Sequence, residues 1–133
     1  MRYLLDTHAC IRFLNGTLAP IAKRMGAVDP AAVRISSVTR GELLFGAHRS
    51  RRQADNLRML SGFFATVVSL PFDDACAEHY GRIRADLASR GQPIGENDLM
   101  IASIALAHDL TLVTHNLGEF SRVPGLHLED WEG

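Results

Sequence analysis

Asp6, Glu42, Asp98, Asn116 and Glu119 are the residues of this chain whose types and spacing suit a shared piece of chemistry. Four are carboxylates and one is a carboxamide. Carboxylates drawn together repel one another unless a cation lies between them. Oxygen donors with no thiolate among them suit magnesium or manganese rather than zinc. A cation held this way promotes hydrolysis, because it acidifies water and offsets charge that builds on a reacting oxygen.

Each of the five also has an ordinary reading. Asp6 follows the apolar run Tyr3-Leu4-Leu5 and could cap the helix that comes next. Glu42 shares a helix face with Val38, Phe45 and Gly46, yet Thr39 and Glu42 could instead form a capping box. Asp98 stands at the start of an apolar helix, where a carboxylate is welcome. Asn116 is a common turn former, and Glu119 could be a surface acid.

The elements that must position these residues can be read from apolar spacing. Strands are predicted over 2–5, 33–36, 66–70, 111–114 and 126–129. Helices are predicted over 8–14, 19–27, 38–48, 52–65, 73–89 and 99–108, with Gly16 ending the first. The run "LMIASIALAH" is apolar almost all round, which marks a central, buried helix. Strands that alternate with helices imply an α/β fold, a parallel sheet with helices on both faces. Ligand sites in such sheets form beyond the carboxyl ends of the strands. Asp6 and Asn116 both fall on that rim.

Composition bounds the rest. A chain of 133 residues makes one domain, 1–133, with a single core. No run of about 18 apolar residues exists, so no membrane span is expected. The start of the chain lacks the marks of a secretory signal. Cys10 and Cys76 lack C-x-x-C spacing, so they read as buried apolar residues of a cytoplasmic protein. The net charge is −1, but "HRSRRQADNLR" gathers Arg49, Arg51, Arg52 and Arg58. Arginine suits forked contacts to phosphate, and the same segment also reads as a solvated helix start. A haloacid-dehalogenase site would need an acid where His8 stands. A receiver site would need a late lysine, and Lys23 is the sole lysine. A P-loop is absent.

Four segments, "LLDTH", "ISSVTRGELLFGA", "PIGENDLMIASIA" and "LVTHNLGEFSRVPGLHLEDW", resemble the marks of PIN-domain ribonucleases, and among them the VapC toxins. The resemblance runs from the first strand to Trp131. It implies a PIN-like three-layer sandwich and a metal-dependent endoribonuclease. Asp6, Glu42 and Asp98 then fall where the family's metal-binding acids fall. Asn116 takes the fourth position, Asp in many relatives, and Glu119 supplies the missing charge. His8 departs from the family's usual residue and is a candidate to contact RNA phosphate, to hold Asp6 or to do neither; Arg49, Arg51 and Arg52, with Arg82 and Arg84, are candidates to hold the RNA backbone. Glu96 departs as well, as an extra outer acid or an exposed helix-start residue.

By the same resemblance, the acids hold one or two Mg2+ ions, or Mn2+, for in-line hydrolysis of an RNA phosphodiester. The substrate implied is tRNA, in the anticodon region of the initiator, with a ribosomal RNA loop as the second choice. The partners implied are a VapB-like antitoxin and a second copy of the chain. The helices at 19–27 and 52–64 are candidate faces for docking, for a homodimer seam or for plain core. The rival function is a PIN-like binding module without catalysis, which Asn116 keeps open.

Overall fold

The computed structural model describes residues 1–16 and 19–133. The chain begins with β1 (Tyr3–Leu5), α1 (Thr7–Asn15) and α2 (Ala19–Ala27). A 3-10 turn (Pro30–Ala32) leads into β2 (Val33–Ser36), α3 (Ser37–His48), α4 (Gln53–Phe64) and β3 (Val68–Leu70). Then come α5 (Asp74–Ser89), α6 (Glu96–Ala107), β4 (Thr111–Val113), α7 (Leu117–Phe120) and β5 (Leu128–Glu129).

The five strands form one sheet in the order β3-β2-β1-β4-β5, and every neighbouring pair is parallel. Tyr3 faces Val33 on one side and Thr111 on the other. Successive side chains of a strand point to opposite faces. Leu4 therefore joins a core with Ile83, Leu87 and Ile101 from α5 and α6. Leu5 joins a second core with Cys10, Ile21, Leu43 and Phe63 from α1 to α4. Helices cover both faces, as the alternating pattern predicts, and α6 contributes a row of buried residues from Leu99 to Ala105.

The strand order places the site. From β1 the chain moves outward to β2 and β3, then returns to the other side of β1 as β4. The crevice at that reversal, beyond the carboxyl ends of β1 and β4, is where open α/β sheets bind ligands. The Asp6 amide donates to the Val113 carbonyl across this crevice, at 3.1 Å.

Four elements differ most from the sequence expectation. α6 begins at Glu96, three residues before the apolar run, because Glu96 and Asp98 suit the positive end of a helix. β3 and β5 are shorter than the β-branched and apolar runs suggested. α7 occupies four residues that read as a turn around Asn116. No helix among the described residues is long and apolar enough to cross a membrane.

Candidate active site

Asp6 is buried to 4% exposure at the end of β1. It is the N-cap of α1, and its Oδ1 accepts the Ala9 amide at 2.8 Å. The two readings of Asp6 are thus compatible, since a single oxygen serves the cap. Burial raises its pKa. The Thr114 hydroxyl, the Ala9 amide and the charge of His8 oppose that rise, while Glu132 adds to it.

Glu42 lies half-buried in α3. Ser36, not Thr39, caps this helix, through its hydroxyl to the Thr39 amide at 3.0 Å. The capping-box reading of Thr39 and Glu42 therefore fails: the helix starts too early for it. Glu42 Oε1 instead accepts the Thr7 hydroxyl at 2.6 Å, and Asn97 Nδ2 approaches Oε2 at 3.4 Å. The Thr7 and Thr39 hydroxyls are themselves 3.1 Å apart. A residue of α1 and one of α6 thus converge on an acid of α3.

Asp98 sits in the first turn of α6, behind an N-cap that is Gly95 and makes no side-chain cap bond. Its pKa rises to about 6. Burial is the main cause, followed by the charge of Glu119 and a hydrogen bond with it, then by Asp6 and Glu42. Glu119 belongs to α7. Its Oε1 accepts the Gly95 amide at 2.9 Å and its Oε2 accepts Asn116 Nδ2 at 2.6 Å. A Cβ on Gly95 would lie 3.8 Å from both Asp98 Oδ2 and Glu119 Oε1, so this glycine backbone borders the acid pair.

The four carboxylates come from β1, α3, α6 and α7, and Asp98 feels the charge of the other three. Among the described residues, no three of them bring oxygens within 4.8 Å of each other. Such an open, oxygen-only set fits a hard cation. Magnesium keeps several waters and needs few protein carboxylates.

Asn116 is exposed and its own amide donates to Thr114 Oγ1 at 3.0 Å. Its side chain turns toward Glu119. His8 is exposed on the first turn of α1, within range of Asp6. Arg49, Arg51 and Arg52 are exposed at the corner between α3 and α4. Arg49 lies over the Phe45 ring, 5.5 Å from its centroid, and Arg52 is 3.9 Å from Asp55. Seven residues separate Glu42 from Arg49, or about 10 Å along the helix axis. The acids and this basic corner are therefore separate. Arg82 contacts His79. Arg84 is closer to the site, through the Tyr80 hydroxyl at 2.6 Å and Glu96 at 3.3 Å.

Sequence reasoning missed Asp130 and Glu132. His115 Nδ1 lies 2.9 Å from Asp130 Oδ2, Glu132 is near Asp6, and Arg12 approaches Glu132 at 3.8 Å. Buried Trp131, edge-on to Tyr3 at 5.0 Å, anchors this tail. The signal was available, since both acids follow the last strand on the same rim. Thr7 and Thr114 were also missed, and each neighbours a named acid in sequence or in space.

Comparison with known proteins gives the family. The family model described as the PIN domain matches residues 3–126. The tRNA(fMet)-specific endonuclease VapC of Shigella flexneri is 40% identical over 131 residues, 98% of each chain. The VapC chain in the DNA-bound VapBC structure from Salmonella typhimurium superposes with a TM-score of 0.93, at 39% identity over 98% of each chain. VapBC2 from Rickettsia felis, bound to a promoter DNA fragment, gives 0.91 at 34% identity, over 98% of this chain and 99% of that one. The chain belongs to the PIN-domain family and, within it, to the VapC ribonucleases.

Proposed function

We propose that this chain is a Mg2+-dependent endoribonuclease toxin that cuts tRNA and is neutralised by a small VapB-like antitoxin. The observation that carries the reading is the meeting of Asp6, Glu42, Asp98 and Glu119 at the switch point of the sheet, with Asp98 raised to about 6 by burial and by its acidic neighbours. Asp6, Asp98, Glu42 and Glu119 would hold the cation, with Mn2+ as a substitute. When bound, it supplies an acidified water and charge compensation at the phosphate.

The chain's own residues do the rest. Thr7 and Asn97 orient Glu42, and Asn116 with the Gly95 amide orients Glu119. Asp6 is locked by the helix it caps. Arg84 and His8 at the rim, and Arg49, Arg51 and Arg52 further out, hold the RNA backbone without reading sequence. The 40% identity to a tRNA(fMet)-specific endonuclease supports the initiator tRNA as substrate and its anticodon loop as the cleaved region. Residues 1–133 act as one domain in the cytoplasm, where that RNA resides.

The antitoxin surface follows from the same site. A groove of about 280 Å³ runs between α1, α3 and α4, lined by Ile11, Leu14, Leu43, Met59 and Leu60, and it reaches Glu42. Ile11 and Met59 are exposed there. An apolar antitoxin segment laid in this groove would deliver a basic side chain to the acids, replacing the cation's charge and excluding RNA. Of the two candidate faces, this favours α4 over α2. A homodimer seam would then use a different face.

The test is cleavage of purified initiator and elongator tRNAs and ribosomal RNA fragments with and without Mg2+, by the protein and by Asp6→Asn. The expected result is Mg2+-dependent cleavage of initiator tRNA in its anticodon loop, lost in the variant. Equal cutting by both proteins, or none across the panel, overturns the reading, and the absence of cutting leaves the binding module.

A further inference from the structure

A second cluster of ligating side chains lies away from the acids. Asp73, Cys76 and His108 each offer a ligand atom, and these atoms lie within 4.8 Å of one another. Asp73 is the N-cap of α5, and its Oδ1 accepts the Cys76 amide at 3.1 Å, while its carboxylate also has the Cys76 thiol as a side-chain hydrogen-bond partner. Cys76 is fully buried one turn into α5, and its sulfur has a weak contact with the Pro71 carbonyl at 3.8 Å. His108 is the C-cap of α6. Its Nε2 is buried and has no hydrogen-bond partner among the described residues. Buried polar atoms are rarely left so.

Sulfur, imidazole nitrogen and carboxylate oxygen together form a borderline-soft donor set, the reverse of the oxygen-only set at the catalytic acids. Three such ligands with a fourth position open to solvent suit tetrahedral zinc. Asp73 is exposed and provides the way in. His108 stands ten residues beyond Asp98 on the same helix, or about 15 Å along its axis. The cluster is therefore distinct from the catalytic rim.

We propose that Asp73, Cys76 and His108 bind a transition-metal ion of the Zn2+ class, which ties the start of α5 to the end of α6. Binding displaces the Cys76 thiol proton to water and gives the His108 nitrogen its missing partner. The ion staples the helical hairpin whose other end carries Asp98.

The experiment is a titration of the chelator-treated full chain with Co2+, followed by Zn2+ competition and thermal unfolding. One equivalent of Co2+ should produce a thiolate-to-cobalt charge-transfer band, which Zn2+ removes. Cys76→Ser should abolish the band. Asp73→Asn, which retains the helix cap, and His108→Gln should each weaken Co2+ binding about 10-fold or more. Zn2+ should raise the unfolding temperature of the unaltered protein and not that of Asp73→Asn. Asp98→Asn should leave the band intact, since the catalytic acids hold no sulfur. No band at saturating Co2+, a band that survives Cys76→Ser, or binding indifferent to both Asp73→Asn and His108→Gln would each overturn the proposal.

Discussion

Asn116 donates its side-chain amide to Glu119 at 2.6 Å, so a neutral residue at the fourth position of the acid set holds an acid three residues on. In the site proposed above, Glu119 carries the charge that Asn116 lacks, and Asn116 is its positioning residue. Asn116→Ala should weaken Mg2+ activation about 10-fold while leaving RNA binding intact, the scale typical of removing support from a ligand. Glu119→Gln should cost more, because it removes the charge itself. Mg2+ titrations of initial cleavage rates separate the two. Identical profiles for Asn116→Ala and the unaltered protein would refute the support role.

The two duties of Asp6 can be pulled apart. Asparagine caps a helix about as well as aspartate. Asp6→Asn should keep the Ala9 hydrogen bond and shed the cost of burying a charge, so its stability should match or exceed that of the parent. Asp6→Ala should lose about 1 kcal/mol with the cap. Neither variant should cleave RNA. Urea unfolding beside a cleavage assay gives both numbers.

Thr7 supports Glu42 from another helix. Its hydroxyl donates to the carboxylate at 2.6 Å, and a hydrogen bond to a charged group contributes about 1.5–3 kcal/mol. Thr7→Val should reduce kcat about 10-fold at saturating RNA with little change in KM, and Thr7→Ser should restore it. A valine variant with unchanged kcat would show that Glu42 holds its place unaided.

How much of this was legible in sequence depends on the kind of signal. The adjacent pair Leu4 and Leu5 marks a strand buried on both faces, and the structure sends them to separate cores. The carboxyl-rim rule then places Asp6 correctly, because a parallel sheet leaves little choice about where its strands end. Boundaries set by polar residues were harder. Glu96 and Asp98 belong to the first turn of α6, but apolar periodicity says nothing about a polar helix start. α7 is four residues long, too short to display a period at all. The acids near Asp6 at the end of the chain depend on Trp131 packing against Tyr3, a long-range pairing that no local pattern announces.

The raised pKa of Asp98 has a consequence for stability. An unfolded aspartate titrates near 3.8, whereas Asp98 in the fold titrates at about 6. Between those values the folded protein holds more protons than the unfolded chain, so stability falls as pH rises through the window. Burial raises Asp6 in the same direction. For half-exposed Asp98, the effect after allowance for solvent screening is about 1 kcal/mol. The metal-free protein should therefore be more stable near pH 5 than near pH 7.5. Saturating Mg2+ should recover the loss at pH 7.5 and do less at pH 5, where a proton competes at Asp98. Urea midpoints at the two pH values, with and without Mg2+, provide the measurement. A metal-free protein more stable at pH 7.5 would contradict the burial and neighbouring charge that raise Asp98.

The arginines at the α3–α4 corner should govern binding without touching the chemical step. Arg51 is exposed, Arg52 is held loosely by Asp55 at 3.9 Å, and the corner lies about two helical turns from Glu42. Charges placed this way meet phosphates and release counterions, a contribution that salt screens strongly. Replacing Arg51 and Arg52 together with alanine should raise KM for tRNA several-fold at low salt and leave kcat at saturating RNA unchanged. It should also reduce the slope of log affinity against log salt by about 1–2, close to one for each phosphate left without its arginine. Arg84 differs, because Glu96 ties it to the mouth of the site at 3.3 Å. Arg84→Ala should lower kcat as well as affinity, since a phosphate held at the rim is the one that must align with the acids. Should the corner pair alter kcat and Arg84 spare it, the RNA path over the surface would have to be redrawn to place the scissile phosphate nearer α3.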